Sequence, residues 1–262
     1  MLQPICTIGN ISIFQGRWQE VVPQFKCGFD TLLIDPPYSS GGAFRGDRIA
    51  PPSEKYQTSG TVKDYPTFGG DNLDQRSFIS MMEDFFYQVR GKMVPGALVG
   101  SWIDWRQLPA LVDAFQRSGL IWRGIFAWDK SAACRPNLGR FRAQCEFVVW
   151  GTIGPRLNEG PAGVGFYREP EYYEEHMPSS VSHYLKPSQK IHMTEKSVPV
   201  LMEILKVTRP GGWVLDCFAG SGSTGEACMN LGLNCVLVEE NPEYIERIVT
   251  RLQKHQALIE AA

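Results

Sequence analysis

The residue types that could do chemistry gather in two short segments, and the first is Asp35-Pro36-Pro37-Tyr38. Asp35 offers carboxylate oxygens. The two prolines fix the backbone and remove its donors, so the carbonyls here serve as further acceptors. Tyr38 adds a flat aromatic face. Acceptors beside a stacking ring suit a planar exocyclic amine, such as that of an adenine or cytosine taken out of the helix. Considered alone, the tetrapeptide reads equally as a stiff turn. The element that must position it is Thr31-Leu32-Leu33-Ile34, an apolar β-branched run with the character of a buried strand. The acceptors then sit at that strand's C-terminal edge, where open α/β sheets bind ligands.

The second segment runs from Trp213 through Asp216, Cys217, Phe218, Ala219, Gly220, Ser221, Gly222, Ser223 and Thr224 to Gly225. An apolar strand enters a glycine-rich turn, and a helix opens with Ser and Thr available as caps. Gly220, Gly222 and Gly225 form G-x-G-x-x-G, which lets backbone N–H groups approach a ligand and lets the helix pack on the strand. A following strand over 234–238 ends in Glu239-Glu240, about twenty residues on, where an acid takes ribose hydroxyls. A nicotinamide dinucleotide is the first competitor. Only about fifty residues follow Trp213, too few for the second βαβ half that such a ligand spans. A mononucleoside with a reactive group reaching toward Tyr38 fits better.

Asp-Pro-Pro-Tyr ahead of Phe-x-Gly-x-Gly, in that order, resembles the β-class amino-methyltransferases of DNA, which use S-adenosylmethionine (SAM). Further segments are similar: Ile11 to Gly16 with Glu20, His192-Met193-Thr194-Glu195-Lys196, Val238 to Tyr244, Asp104 to Pro109, Trp122-Arg123-Gly124, and Arg135-Pro136 through Phe141-Arg142 to Glu146. The later ones look like the small solitary members found in phages and mobile elements. The chain departs from the family pattern at Arg17, where an acid is usual, and at Cys217 and Ser197, where proline is common.

The resemblance implies transfer of a methyl group from SAM to N6 of a flipped adenine in double-stranded DNA. Asp35 and the Pro36 carbonyl would each accept one N–H of the amine, Pro37 would stiffen the turn, and Tyr38 would stack on the base. The 218–224 turn would hold the donor, with Glu239 at its ribose and Asp216 near its methionine end. Thr194 and Lys196 are candidate partners for its carboxylate. Phe218 reads equally as a core aromatic, and His192 as a structural histidine. Asp at position 35 favours adenine, since the cytosine-N4 enzymes more often carry Ser-Pro-Pro-Tyr. Cytosine N4 remains an alternative, as does a non-catalytic DNA-binding protein that keeps the fold. Members of the family often form homodimers.

With 262 residues, 43% of them hydrophobic, the chain can bury one sizeable core. No apolar run approaches a bilayer span, and the N-terminus lacks the form of a secretory signal, so a membrane partner is not expected. Seven cysteines without a C-x-x-C pair predict reduced, mostly buried thiols and a cytoplasmic location, including the nucleoid of a host cell. Four unclustered histidines argue against a metal site. Net charge is −2, which counts mildly against nucleic acid. Locally, Arg123, Lys130, Arg135, Arg140 and Arg142 stand against only Asp129, and within that window Lys130, Arg135, Arg140 and Arg142 are the candidate DNA contacts.

Strand signals lie at 11–14, 32–34, 97–101, 120–128, 143–150, 213–217 and 234–238. The spacing predicts helices over 75–93 (capped by Asp74 and ended by Pro95-Gly96), 107–117, 196–207 and 242–261. Alternation of the two predicts an α/β fold, a Rossmann-like, doubly wound and mostly parallel sheet with one antiparallel edge pair over 120–150. Residues 39–72 lack periodicity and begin directly after Tyr38, placed to close over a substrate. By the resemblance, 1–150 form the catalytic half, 151–188 a small target-recognition insertion, and 189–262 the SAM-binding half of one domain. The acid run over 169–175 reads as a solvated face.

Overall fold

Among the residues that the computed structural model describes (2–38, 73–130, 138–139, 141–156, 159–169 and 195–261), nine strands build one sheet. They are β1 (Cys6–Ile8), β2 (Ile11–Gln15), β3 (Phe29–Ile34), β4 (Met93–Ile103), β5 (Ile121–Asp129), β6 (Cys145–Thr152), β7 (Phe166–Arg168), β8 (Trp213–Asp216) and β9 (Asn234–Glu239). Their spatial order is β1-β2-β9-β8-β3-β4-β6-β5-β7. The helices are α1 (Trp18–Val21), α2 (Gln75–Arg90), α3 (Leu108–Arg117), α4 (Val198–Leu205), α5 (Ser223–Leu231) and α6 (Pro242–Glu260), and a 3-10 turn (Val22–Gln24) follows α1.

Every residue of β3 is buried, because helices cover both faces of the sheet. Leu32 and Ile34 pack into a core with Phe78, Phe85 and Phe86 of α2 and Phe115 of α3. Leu33, pointing the other way, joins Val200 and Leu201 of α4 and Ile248 and Leu252 of α6. A strand that is apolar at both parities reads as a continuous run, not as an alternation, and that is the signal Thr31–Ile34 carries. β3 is parallel to β4 on one side and to β8 on the other, with Thr31 opposite Val214 and Leu32 opposite Leu215. The chain therefore places strands from its early and late parts side by side at the sheet centre.

Strands occupy all the expected signals. β5 and β6 are antiparallel, as the missing helix between them predicts, and β6 is also antiparallel to β4. That pair is not outermost. β7 adds a parallel strand beyond β5, so part of the 151–188 insertion belongs to the main sheet. β1 and β7 are three residues each, too short to carry a period, and sequence reading missed both.

Three helix boundaries are corrected. Asp74 does cap α2, accepting from the N–H groups of Arg76 and Ser77, but α2 stops at Arg90 with Gly91 as C-cap. Pro95 and Gly96 instead lie inside β4, since the residue before a proline is pushed toward extended backbone. α4 begins at Val198, with Pro199 in its first turn, where a missing N–H costs nothing. α5 is capped by Gly222 in left-handed conformation (φ 76°), and Ser223 and Thr224 lie inside its first turn, so neither supplies the expected side-chain cap. Cysteine burial is also less complete than expected: Cys217, Cys228 and Cys235 are buried, Cys6 and Cys145 partly, and Cys27 is exposed. The 39–72 segment lies outside the described residues.

Candidate active site

The parallel strands β2, β9, β8 and β3 end on one edge, and their trailing residues enclose a cavity of about 320 Å³, a size suited to a small ligand. Asp35, Pro36, Pro37 and Tyr38 leave β3. Asp216 through Ser221, with Ser223 and Thr224, leave β8, and Glu239 and Glu240 leave β9. The two motifs, far apart in sequence, thus form one wall. Gly225 lets α5 lie on the sheet here, for a Cβ would meet Leu237 Cδ1 at 2.9 Å. The Phe218 ring packs 5.4 Å from that of Phe85, and the residue also lines the cavity.

Glu239 is fixed from two sides. Its Oε2 accepts from the Gly220 N–H (2.8 Å) and its Oε1 from the Asn241 N–H (2.9 Å). Since a carboxylate has about four lone-pair positions, it keeps acceptor capacity toward a ribose diol. Burial raises its pKa. Asp216 is buried at the floor, and burial pushes its carboxyl up to about 7 despite hydrogen bonds from the Thr224 side chain and the Phe218 N–H. Arg17, at the family's acidic position, pairs with Glu240 across the cavity mouth (3.3 Å, both exposed).

Lys196 is placed differently from the expectation of a ligand-carboxylate partner. Its buried ammonium lies 2.7 Å from Asp35 Oδ2 and 3.3 Å from Glu146 Oε2, and it sits over the rings of Trp102 and Tyr38 at 5.4 and 5.9 Å. Lys130 is likewise drawn from the expected DNA surface into a pair with Glu146 Oε1 (2.8 Å). Burial would raise the Glu146 pKa, but the charges of Lys196 and Lys130 outweigh it and hold the carboxyl at about 2. Arg142 is exposed, as a phosphate contact must be. His192, Thr194, Arg135 and Arg140 lie outside the described residues.

Three supports escaped sequence reading. Glu146 is the only charged residue in the 143–150 strand signal, and that was its available signal. Trp102 is fully buried in β4, edge-on to Trp128 at 5.6 Å. Glu169, assigned to a solvated face, is buried because Trp128 Nε1 (3.1 Å) and Ser197 Oγ (2.6 Å) both donate to its Oε1. On the other flank, Arg251 of α6 reaches Glu195, Glu226 and the Ser221 carbonyl, tying the glycine turn to the helix behind it.

Comparison with known proteins finds similarity in family and in fold. The family described as DNA methylase, that of the N6 and N4 methyltransferases, matches residues 29–250. The type II methyltransferase M.Cfr9I of Citrobacter freundii is 28% identical over 168 residues, covering 61% of this chain and 51% of that protein. The chain thus spans about half the length of this relative. YubD of Escherichia coli K12 is 24% identical over 216 residues, covering 82% of this chain and 78% of YubD. Among solved structures, the PvuII cytosine-N4-specific DNA methyltransferase superposes with a TM-score of 0.66 at 15% identity, over 97% of this chain and 94% of that one. The M1.HpyAVI–SAM complex gives 0.64 at 18% identity, over 92% and 98%. At those identities the likeness is one of fold, and the fold is the Rossmann-like α/β fold of these methyltransferases.

Proposed function

The chain belongs to the family of N6 and N4 DNA methyltransferases, and from that premise we propose that it methylates N6 of a flipped adenine in double-stranded DNA with SAM as donor. The observation that carries this reading is the meeting of Asp35–Tyr38 with the glycine turn and Glu239 around one cavity.

The lining fits the donor's chemistry. Glu240 and Glu195 are paired with Arg17 and Arg251, while Asp216 and Glu239 give the donor side an acidic wall whose carboxyls burial makes harder to ionise. A cationic ligand with a ribose diol relieves both. Bound there, SAM supplies an electrophilic methyl group on a sulfonium. Glu239 accepts from the ribose hydroxyls, the 218–224 turn backs the nucleoside, and Asp216 faces the cationic end.

An aromatic amine is a poor nucleophile, because its lone pair is delocalised into the ring. The Asp35 carboxylate and the Pro36 carbonyl each accept one N–H, which draws the nitrogen toward tetrahedral geometry and directs its lone pair at the methyl. Tyr38 stacks on the base, with Pro37 holding the turn, and offsets part of an unstacking cost of a few kcal/mol. The remaining contribution is alignment and preorganised acceptors. Arg142, with Arg135 and Arg140, supplies phosphate contacts, and Lys130 acts inside the protein instead. The 151–188 segment, beyond its β7 portion, reads the target sequence.

Cytosine N4 is the second reading, favoured by the likeness in fold to a cytosine-N4-specific enzyme. Nucleoside mass spectrometry on DNA from a methylation-deficient host expressing the chain, beside its Asp35→Ala variant, tests both. N6-methyladenine seen only with the intact chain supports the proposal. N4-methylcytosine moves it to the second reading, and the absence of both marks overturns it.

A further inference from the structure

We propose that Lys196 is a positioning residue for the transfer step: its ammonium holds the Asp35 carboxylate ionised and oriented to accept from the target amine, and Glu146, backed by Lys130, holds Lys196. This rests on the methyl-transfer reading above.

The geometry is a partly buried row of alternating charge, with Lys196 its most buried member. Asp35 Oδ2 lies 2.7 Å from Lys196 Nζ, which lies 3.3 Å from Glu146 Oε2, and Glu146 Oε1 lies 2.8 Å from Lys130 Nζ. Side-chain exposure is 24% for Asp35, 5% for Lys196, 21% for Glu146 and 17% for Lys130. Two negative and two positive groups balance, which limits the cost of taking them out of water. The Trp102 and Tyr38 rings flank the Lys196 ammonium at 5.4 and 5.9 Å.

Asp35 needs such a partner because of what faces it. Asp216 ends β8, Glu239 and Glu240 end β9, and Glu195 precedes Lys196, all on the same cavity. Arg17, at the mouth, is paired with Glu240. Glu195 is paired with Arg251 of α6, and Tyr38 on its own segment, Glu146 on β6 and Lys130 after β5 also stand nearby among the described residues. Like charges sharing a site favour protonation of one of them. A protonated Asp35 would present a donor where the amine needs an acceptor.

The ammonium also lowers the basicity of Asp35. In the transfer, the N–C bond forms as the S–C bond breaks with its electron pair left on sulfur. The proton shed by the methylated nitrogen then goes to water, since an Asp35 held by Lys196 is too weak a base to keep it.

The test separates this role from that of a donor-carboxylate partner. Lys196→Met, Lys196→Arg and Lys196→Met/Glu146→Gln are compared with the intact chain, the double variant guarding against a fold upset by Glu146 alone. Isothermal titration reads SAM affinity, kcat is followed against pH at saturating substrates, and infrared titration of the Asp35 carboxyl uses Asp35→Asn as reference. In both Met variants we expect SAM affinity within about threefold of the intact chain. The Asp35 titration and the acid limb of kcat move up by about one pH unit or more, each unit being about tenfold in rate below the limb. Lys196→Arg, which keeps the charge, stays near the intact profile. An unmoved Asp35 titration overturns the proposal, as does a more than tenfold loss of SAM affinity with the acid limb in place. If the intact chain leaves DNA unmethylated, the functional reading fails, while the infrared titration still decides whether Lys196 governs Asp35.

Discussion

Glu146 and Asp216 are carboxylates placed on the two sides of the same site, and burial acts on both, yet their acidities part in opposite directions. Glu146 falls to about 2 and Asp216 rises to about 7. Glu146 stands between Lys196 and Lys130, whereas the charged groups acting on Asp216 are Asp35 and Glu239, both negative. The Asp35 side is thus charge-compensated by Lys196 and Lys130, and Asp216 is left facing two carboxylates. Opposed environments of this kind assign roles to groups of the same type. Here they separate the side that is built from the side that waits.

The largest break in this comparison is Asp35→Ala, which removes the acceptor from the compensated side. Transfer should fall by about a thousandfold or more, with SAM affinity by isothermal titration within a few fold of the intact chain. An active variant would remove Asp35 from the mechanism. Next is Arg251→Ala, which strips the cation from Glu195, whose side chain is 1% exposed, and from Glu226. Loss of one partner from a buried ion cluster costs about 3–5 kcal/mol, to be read as a lower urea midpoint. Lys196→Met should cost less than that, because Lys130 still pairs with Glu146.

A smaller effect sharpens the donor side. A cation prefers ionised Asp216, so SAM affinity should rise with pH until Asp216 ionises near 7, by at most about tenfold per unit. It should then level off, and Asp216→Asn should flatten the rise. Without ligand the sign reverses. The folded protein holds this proton more tightly than the unfolded chain, so the Asp216 contribution to stability is full below about 4 and is lost as pH climbs through 7. The smallest expected signal lies at the acid end. Glu146 contributes stability above its unfolded pKa, lost as pH falls toward 2. Glu146→Gln should therefore make acid unfolding followed by circular dichroism less steep.

What was legible in the sequence follows the same division. The Asp35–Tyr38 acceptors and the Gly220–Gly225 turn are local patterns whose geometry is written in consecutive residues, and the strands that carry them were readable from apolar runs. The compensating charges were not. Lys196 meets Asp35 across 161 positions, and no periodicity reports a contact of that kind. Lys130 was assigned to a basic surface and Glu169 to a solvated face, because composition counts charges without showing which have found partners. β7 escaped for the simpler reason that three residues carry no period.

The pairing of Thr31 with Val214 at the centre of the sheet has a consequence for synthesis. On the ribosome β3 emerges well before β8, with one edge open to its later neighbour. Until β8, α4 and α6 are made, one edge of β3 and its Leu33 face lack the cover they have in the finished sheet, the situation in which strand edges aggregate. Completion of the sheet and assembly of the catalytic wall are therefore one late event. A chain stopped before β8 should lack the glycine-turn wall of the site, so rescue of truncated forms by chaperones should return solubility without activity.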